Sequence, residues 1–267
     1  GLNGEELELL IYDTQGSPEE AVRVVTKLAQ EDDVDLIVGP MFSGECSAAG
    51  SFANNYKVPM MAIGTSASFM KEDWPYVYRA TVNNSRAVPS TVKMMEGLGY
   101  EKIAIFHGQD DSANNVAKDM EAAWKESGHE VLLKESYDVG DTDFSAQAAN
   151  IVAANPDAVY VSLVVDMTSV IVKQLRQSGY DGIIFSYEVM YTANIELAGG
   201  NNADHVAFTH PYVTYESLDD VPEDLTNMRE FLEKFEERYG SLPETDGGYR
   251  GWDTMLVVAE AAKIAGV

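Results

Sequence analysis

Short apolar runs recur along this chain, each set off from the next by a stretch long enough for a helix. ELELLIYD (6–13), VDLIVGP (34–40), VPMMAIG (58–64), KIAIFHG (102–108), EVLLKESY (130–137), DAVYVSLV (157–164), GIIFSY (182–187) and HVAFTH (205–210) read as strands. Their near-continuous apolar character predicts mostly parallel sheets with helices on both faces. SPEEAVRVVTKLAQ places Ser17 as an N-cap and Pro18 in the first turn, with Val22, Val25 and Leu28-Ala29 on one face. Residues 85–98, 113–127, 143–154 and 167–178 read as helices too. In the third of these, Asp143 or Thr142 is the expected cap, Phe144, Ala148, Ile151 and Val152 the buried face, and Asn155-Pro156 the stop. Two acidic and apolar helical patterns follow from about Pro222.

Two doubly wound α/β domains accommodate this many strands better than one wide sheet. The expected division puts residues 1–82 and 212–267 in the first domain and 83–211 in the second, with hinge crossovers after YVYRATVNNS and near His210-Pro211-Tyr212.

Composition narrows the partners. With 44 acidic against 18 basic residues the formal charge is −26, which argues against nucleic acid and anionic membrane surfaces. Cys46 is the only cysteine, so neither an intramolecular disulfide nor a zinc cluster can form from this sequence. No apolar run approaches the roughly 20 residues of a membrane span. Gly1-Leu2-Asn3-Gly4 has neither a basic nor an apolar signal region, so the expectation is that, if the protein is exported, its signal has been removed.

Catalytic patterns fit poorly. The nearest approach to G-x-S-x-G is Gly64-Thr65-Ser66-Ala67-Ser68, which lacks the final glycine. His107, His129, His205 and His210 have no metal-ligand spacing, and neither a dinucleotide fingerprint nor a triphosphate loop occurs. The expectation is therefore no enzyme, no metal and no cofactor.

Small polar residues do stand at the carboxyl ends of predicted strands, where open α/β sheets bind ligands. Ser43 follows VDLIVGP, Thr65 and Ser66 follow VPMMAIG, Asp111-Ser112 follow KIAIFHG, and Glu188 follows GIIFSY. Hydroxyls and free N–H groups at a helix start favour a carboxylate, and a lone acid favours an ammonium group. Plain N-capping by Ser43, Thr65 and Ser66 and a solvated loop acid at Glu188 are the competing readings.

In order, YDTQGSPEEAVRVVTKL, LIVGPMFSG, VPMMAIGTSAS, YVYRATVNNS, GDTDFSAQAANIVAANPDAVYV, GYDGIIF and GYRGWDTMLVVAEAAKIAG resemble the type I periplasmic binding proteins, specifically the leucine-isoleucine-valine-binding protein family. The resemblance implies a Rossmann-like clamshell that closes on a small ligand between two domains and delivers it to an ABC permease. It implies that this chain lacks the family's first strand-helix unit and its C-terminal end. By motif position Ser43, Thr65, Ser66 and Ala67 would bind the ligand carboxylate, with Ser43 capping the helix, and Glu188 would bind the ammonium. Ser112, Val164 and Tyr249 would shape the side-chain pocket, Ser112 and Val164 standing where relatives carry tyrosines. The implied protein is a monomeric, periplasmic or extracellular solute-binding protein, free or lipid-anchored, for an amino acid or related carboxylate. A ligand-sensing receptor domain, or a binder of an amide, urea or aromatic acid, is the alternative.

Overall fold

The computed structural model describes residues 6–66, 68–71, 73–138, 140–162, 167–187, 195–210 and 212–266. The chain forms two compact units, one from Gly1–Thr81 with Tyr212–Val267 and one from Val82–Pro211.

The first unit begins with α1 (Pro18–Gln30), and the Ser17 hydroxyl accepts from the Glu20 N–H at 3.3 Å. Glu19 and Glu20 lie at the positive end of this helix and Lys27 at the negative end. Its buried residues are Ala21, Val24 and Val25, with Leu28 packed beside them. The expected face of Val22, Val25 and Leu28-Ala29 is thus rotated: the core follows the i, i+3, i+4, i+7 series from Ala21, which leaves Val22 half-buried. Then come β1 (Ile37–Val38), α2 (Ser43–Tyr56), β2 (Met60–Ala62) and β3 (Val77–Arg79), forming a parallel sheet in the order β1-β2-β3. Ile37 pairs with Met60, and Met60 with Val77. Their side chains pack with Cys46, Ala49, Ala53 and Phe69 in one core.

One expected strand does not form in this unit, and one that was not expected does. Residues 6–13 form no strand; Leu9 and Ile11 are 77% and 81% exposed, because among the described residues no strand lies beside them to take their N–H and C=O groups. Conversely, VYR of the expected hinge segment is β3, with only Val77 fully buried. The later part of the chain adds α7 (Thr226–Tyr239) and α8 (Gly247–Ala265), which join around Phe231, Leu232 and Tyr249.

The second unit contains α3 (Asn84–Gly97), β4 (Lys102–Gly108), α4 (Asp111–Glu126), β5 (Glu130–Tyr137), α5 (Ser145–Ala154), β6 (Ala158–Ser162), α6 (Thr168–Gln177), β7 (Ile183–Ser186) and β8 (Val206–Phe208). All its pairings are parallel, in the order β5-β4-β6-β7-β8. Alternation along each central strand supplies two cores. Ala104, Phe106, Val159 and Val161 pack with Phe144, Ile151 and Leu175 of one helical layer. Ile103, Ile105, Ala158 and Tyr160 pack with Met95, Met120 and Trp124 of the other. The apolar continuity of these strands therefore reflects burial on both faces.

The start of α5 also differs from expectation. Phe144 occupies the cap position because the Gln174 side chain takes its N–H, and Asp143 instead accepts from the Ser145 N–H at 3.0 Å. The helix stops as expected at Asn155, which adopts the left-handed conformation before Pro156.

Candidate functional site

In the first unit, Gly39-Pro40 ends β1 with Gly39 at φ 110°, a backbone state open to glycine. The turn leads to Phe42, which is the N-cap of α2. Ser43 is therefore not the cap. The carboxylate of Glu45 accepts from the Phe42 N–H at 3.3 Å, the reciprocal half of a capping box, and the Ser43 hydroxyl has another partner.

That partner comes from the loop after β2. The Ser66 N–H donates to Ser43 Oγ at 3.1 Å, and Ser66 Oγ accepts from the Ser68 N–H at 3.1 Å. Ser43, Thr65 and Ser66 are 4%, 8% and 2% exposed, so three expected carboxylate residues lie together in a nearly buried turn. Gly64 makes the approach possible: a Cβ there would lie 3.0 Å from Cys46 Sγ and 3.1 Å from Ser43 Cα. The Arg79 guanidinium, at the end of β3, donates to the carbonyls of Thr65 at 2.9 Å and Ser66 at 2.7 Å and stacks over Phe69. Among the described residues, the Thr65 N–H, the Thr65 hydroxyl and the Ser43 hydroxyl proton have no partner. A buried turn with occupied carbonyls and unused donors can hold an anion.

Behind this turn, Arg250 of α8 pairs with Asp246, both buried, and donates to Thr81 Oγ1 at 2.7 Å and to the Ile63 carbonyl at 3.4 Å. Neither Arg79 nor Arg250 was a sequence-level candidate. The signals available were an arginine closing the apolar VYR and an Asp-Arg pair one helical turn apart.

Tyr249 is also in the first unit, 2% exposed, stacked on Tyr212 at 5.4 Å and tilted against Phe231 at 4.9 Å. Burial, with a smaller effect of Tyr215, pushes its phenol up to about 12. It lines a cavity of about 290 Å³ with Asp224, Met228, Phe231, Trp252 and Asp253, and no residue of the Ser43–Thr65–Ser66 turn lines that cavity. The structure thus places Tyr249 in the aromatic cluster of α7 and α8, apart from the turn.

In the second unit the winding reverses between β4 and β6, since β5 and β6 lie on opposite sides of β4. Ligands of such sheets bind beyond the strand ends at that reversal. Asp110 caps α4 there, accepting from the Ala113 N–H at 3.0 Å, and Ser112 is in the first turn, half-buried. Ser162 at the end of β6 donates to the Ala113 carbonyl at 2.8 Å and ties that strand end to the first turn of α4. Ala67, Val164 and Glu188 lie outside the described residues.

Among the described residues no group of three or more His, Cys, Asp or Glu could hold a metal, and no helix is long and apolar enough to cross a membrane. His129 stacks on Trp124 and meets Glu96 at 3.1 Å, a packing role.

Two α/β units with parallel sheets, the first carrying unused donors on a turn after a strand, are an architecture shared with known proteins. The chain belongs to the periplasmic binding protein family, whose model matches residues 1–267. It is 22% identical over 213 residues to the leucine-specific-binding protein of Salmonella typhimurium, which covers 79% of this chain and 58% of that relative. A branched-chain amino acid transporter substrate binding protein of Streptococcus pneumoniae, solved with isoleucine, superposes with a TM-score of 0.85 at 24% identity, covering 98% of this chain and 73% of that one. A solute binding protein of an ABC transporter from Rhodopseudomonas palustris, solved with 3,4-dihydroxy benzoic acid, gives 0.82 at 20% identity, covering 100% and 72%. The fold is that of the type I periplasmic binding proteins.

Proposed function

We propose that this protein is the solute-binding component of an ABC importer and binds a small carboxylate, foremost a branched-chain or other apolar amino acid. The observation that carries the reading is Thr65: it is 8% exposed, its carbonyl is held by Arg79, and its N–H and hydroxyl have no partner among the described residues. A buried N–H without an acceptor costs free energy that a bound carboxylate would return, and the hydroxyl beside it can donate to the same group. The isoleucine and 3,4-dihydroxy benzoic acid of the two solved relatives share a carboxylate and differ in the amine, which supports assigning the common group to this turn.

Ser43 acts in this reading as a donor to the carboxylate. Its oxygen accepts from a backbone N–H, and among the described residues no general base is hydrogen-bonded to its hydroxyl, which supports binding over acyl transfer. Glu188 is assigned the ammonium, Ala67 a place in the carboxylate turn, and Ser112 and Val164 the side-chain pocket. The protein would act as a monomer in the periplasm or outside the cell, with a membrane permease as its partner.

Native mass spectrometry before and after unfolding, followed by calorimetry with the common amino acids, tests this directly. The expected result is a released carboxylate of low mass and saturable binding of the same compound. Glu188→Gln should weaken an amino acid by about tenfold or more while sparing an acid that lacks the amine. Retention of full amino-acid affinity by that variant would remove the ammonium assignment.

A further inference from the structure

We propose that Arg79 is the positioning residue of the carboxylate turn, a role that rests on the reading above. Its guanidinium holds two successive carbonyls, those of Thr65 and Ser66, at 2.9 and 2.7 Å. Across a trans peptide the C=O and the following N–H point in opposite directions. Fixing the Thr65 carbonyl toward Arg79 therefore fixes the Ser66 N–H away from it, and that N–H reaches Ser43 Oγ at 3.1 Å. With its oxygen engaged as an acceptor, Ser43 directs its proton elsewhere, alongside the unused donors of Thr65. One cation thus orients a relay from guanidinium through peptide to hydroxyl, each bond polarising the next.

The shape of the side chain matters as much as its charge. A planar fork reaches two carbonyls at once and lies over the Phe69 ring with its centre 4.9 Å from the ring centroid. Lysine would reach one carbonyl as a point charge and leave the other peptide free to rotate. The positive charge behind the turn also favours an anion in front of it, so the loss should fall on carboxylate ligands and little on neutral ones.

The test is calorimetry of the full chain and of Arg79→Lys with leucine and with leucinamide, alongside thermal melts. We expect the wild type to prefer leucine and the variant to lose about ten- to hundredfold in leucine affinity. Leucinamide binding should change by less than about threefold, so the discrimination collapses in a folded protein. A general loss of packing would weaken both ligands together. If the variant keeps the wild-type leucine affinity and discrimination, Arg79 has no positioning role and the carboxylate reading stands. If the wild type binds neither leucine nor 3,4-dihydroxybenzoate, the carboxylate reading and this inference both fall. Should Arg79→Lys not fold, the wild type carries the test by NMR: separate, slowly rotating Nη–H signals for Arg79 that sharpen on adding leucine support the clamp, and averaged signals overturn it.

Discussion

Cys46 shows how completely one side chain can be withdrawn from chemistry. It is 0% exposed, and burial first, with Glu45 beside it, pushes its thiol up to about 11 from an ordinary 9.0. A disulfide-exchange reagent at pH 8 should therefore label the native chain very slowly and the unfolded chain fully, read by absorbance. Because the folded thiol has the higher pKa, its contribution to stability is intact below about 9 and is lost as pH rises toward 11. Denaturant midpoints of wild type and Cys46→Ala should draw together over that interval. The buried Asp246–Arg250 pair is the opposite case, a charge kept because it is matched. Asp246→Asn should cost about 3–5 kcal/mol in urea unfolding, since it removes the carboxylate from a buried ion pair. At this scale the sequence displayed the Ser43 hydroxyl near a helix start but not its use. Its partner is Ser66, 23 positions away, and only packing brings them together. Arg79 was hidden for the same reason: a hydrogen bond to a carbonyl of a distant turn leaves no local pattern.

Elements were legible where both of their faces are buried. KIAIFHG is β4 to the residue, because an apolar run between helical stretches has few other ways to bury itself, and EVLLKESY, at the sheet edge with only Tyr137 buried, matches β5 through its pairing with it. ELELLIYD is likewise rich in apolar residues and forms no strand, since pairing is a property of two segments and composition belongs to one. VYR is the converse case: at three residues it is too short to show a period, and Tyr78 is 48% exposed, yet it pairs with β2. Around Phe144 the rings of Phe106 and Tyr137 stand at 5.8 and 5.0 Å, edge to face. Phe144→Ala should cost about 3–5 kcal/mol by urea unfolding. Glu121 joins α4 to β5 by accepting from Lys125 and Lys134, which hold its carboxyl down at about 2. A depressed acid contributes stability above its ordinary 4.5 and loses it as pH falls toward 2. Glu121→Gln should be about 1 kcal/mol less stable at pH 7, and the difference should vanish through that range.

For the whole chain, the charge of −26 sets a self-repulsion that salt can screen. Raising ionic strength from about 0.01 M to 0.15 M shortens the screening length from about 30 Å to about 8 Å. The melting temperature should rise over that range, by differential scanning fluorimetry, and a flat response would mean the charges are already dispersed. The division into two units has a consequence for how the molecule is made. The second unit is one continuous segment, Val82–Pro211, whereas the first needs both Gly1–Thr81 and residues beyond Tyr212. At roughly 5–20 residues per second, on the order of ten seconds separates the synthesis of its two parts. Throughout that interval the Ile63 carbonyl and the Thr81 hydroxyl have no Arg250. The nascent chain thus carries a finished unit between two halves of an unfinished one, and the Ile63–Thr81 brace is the last joint to be set.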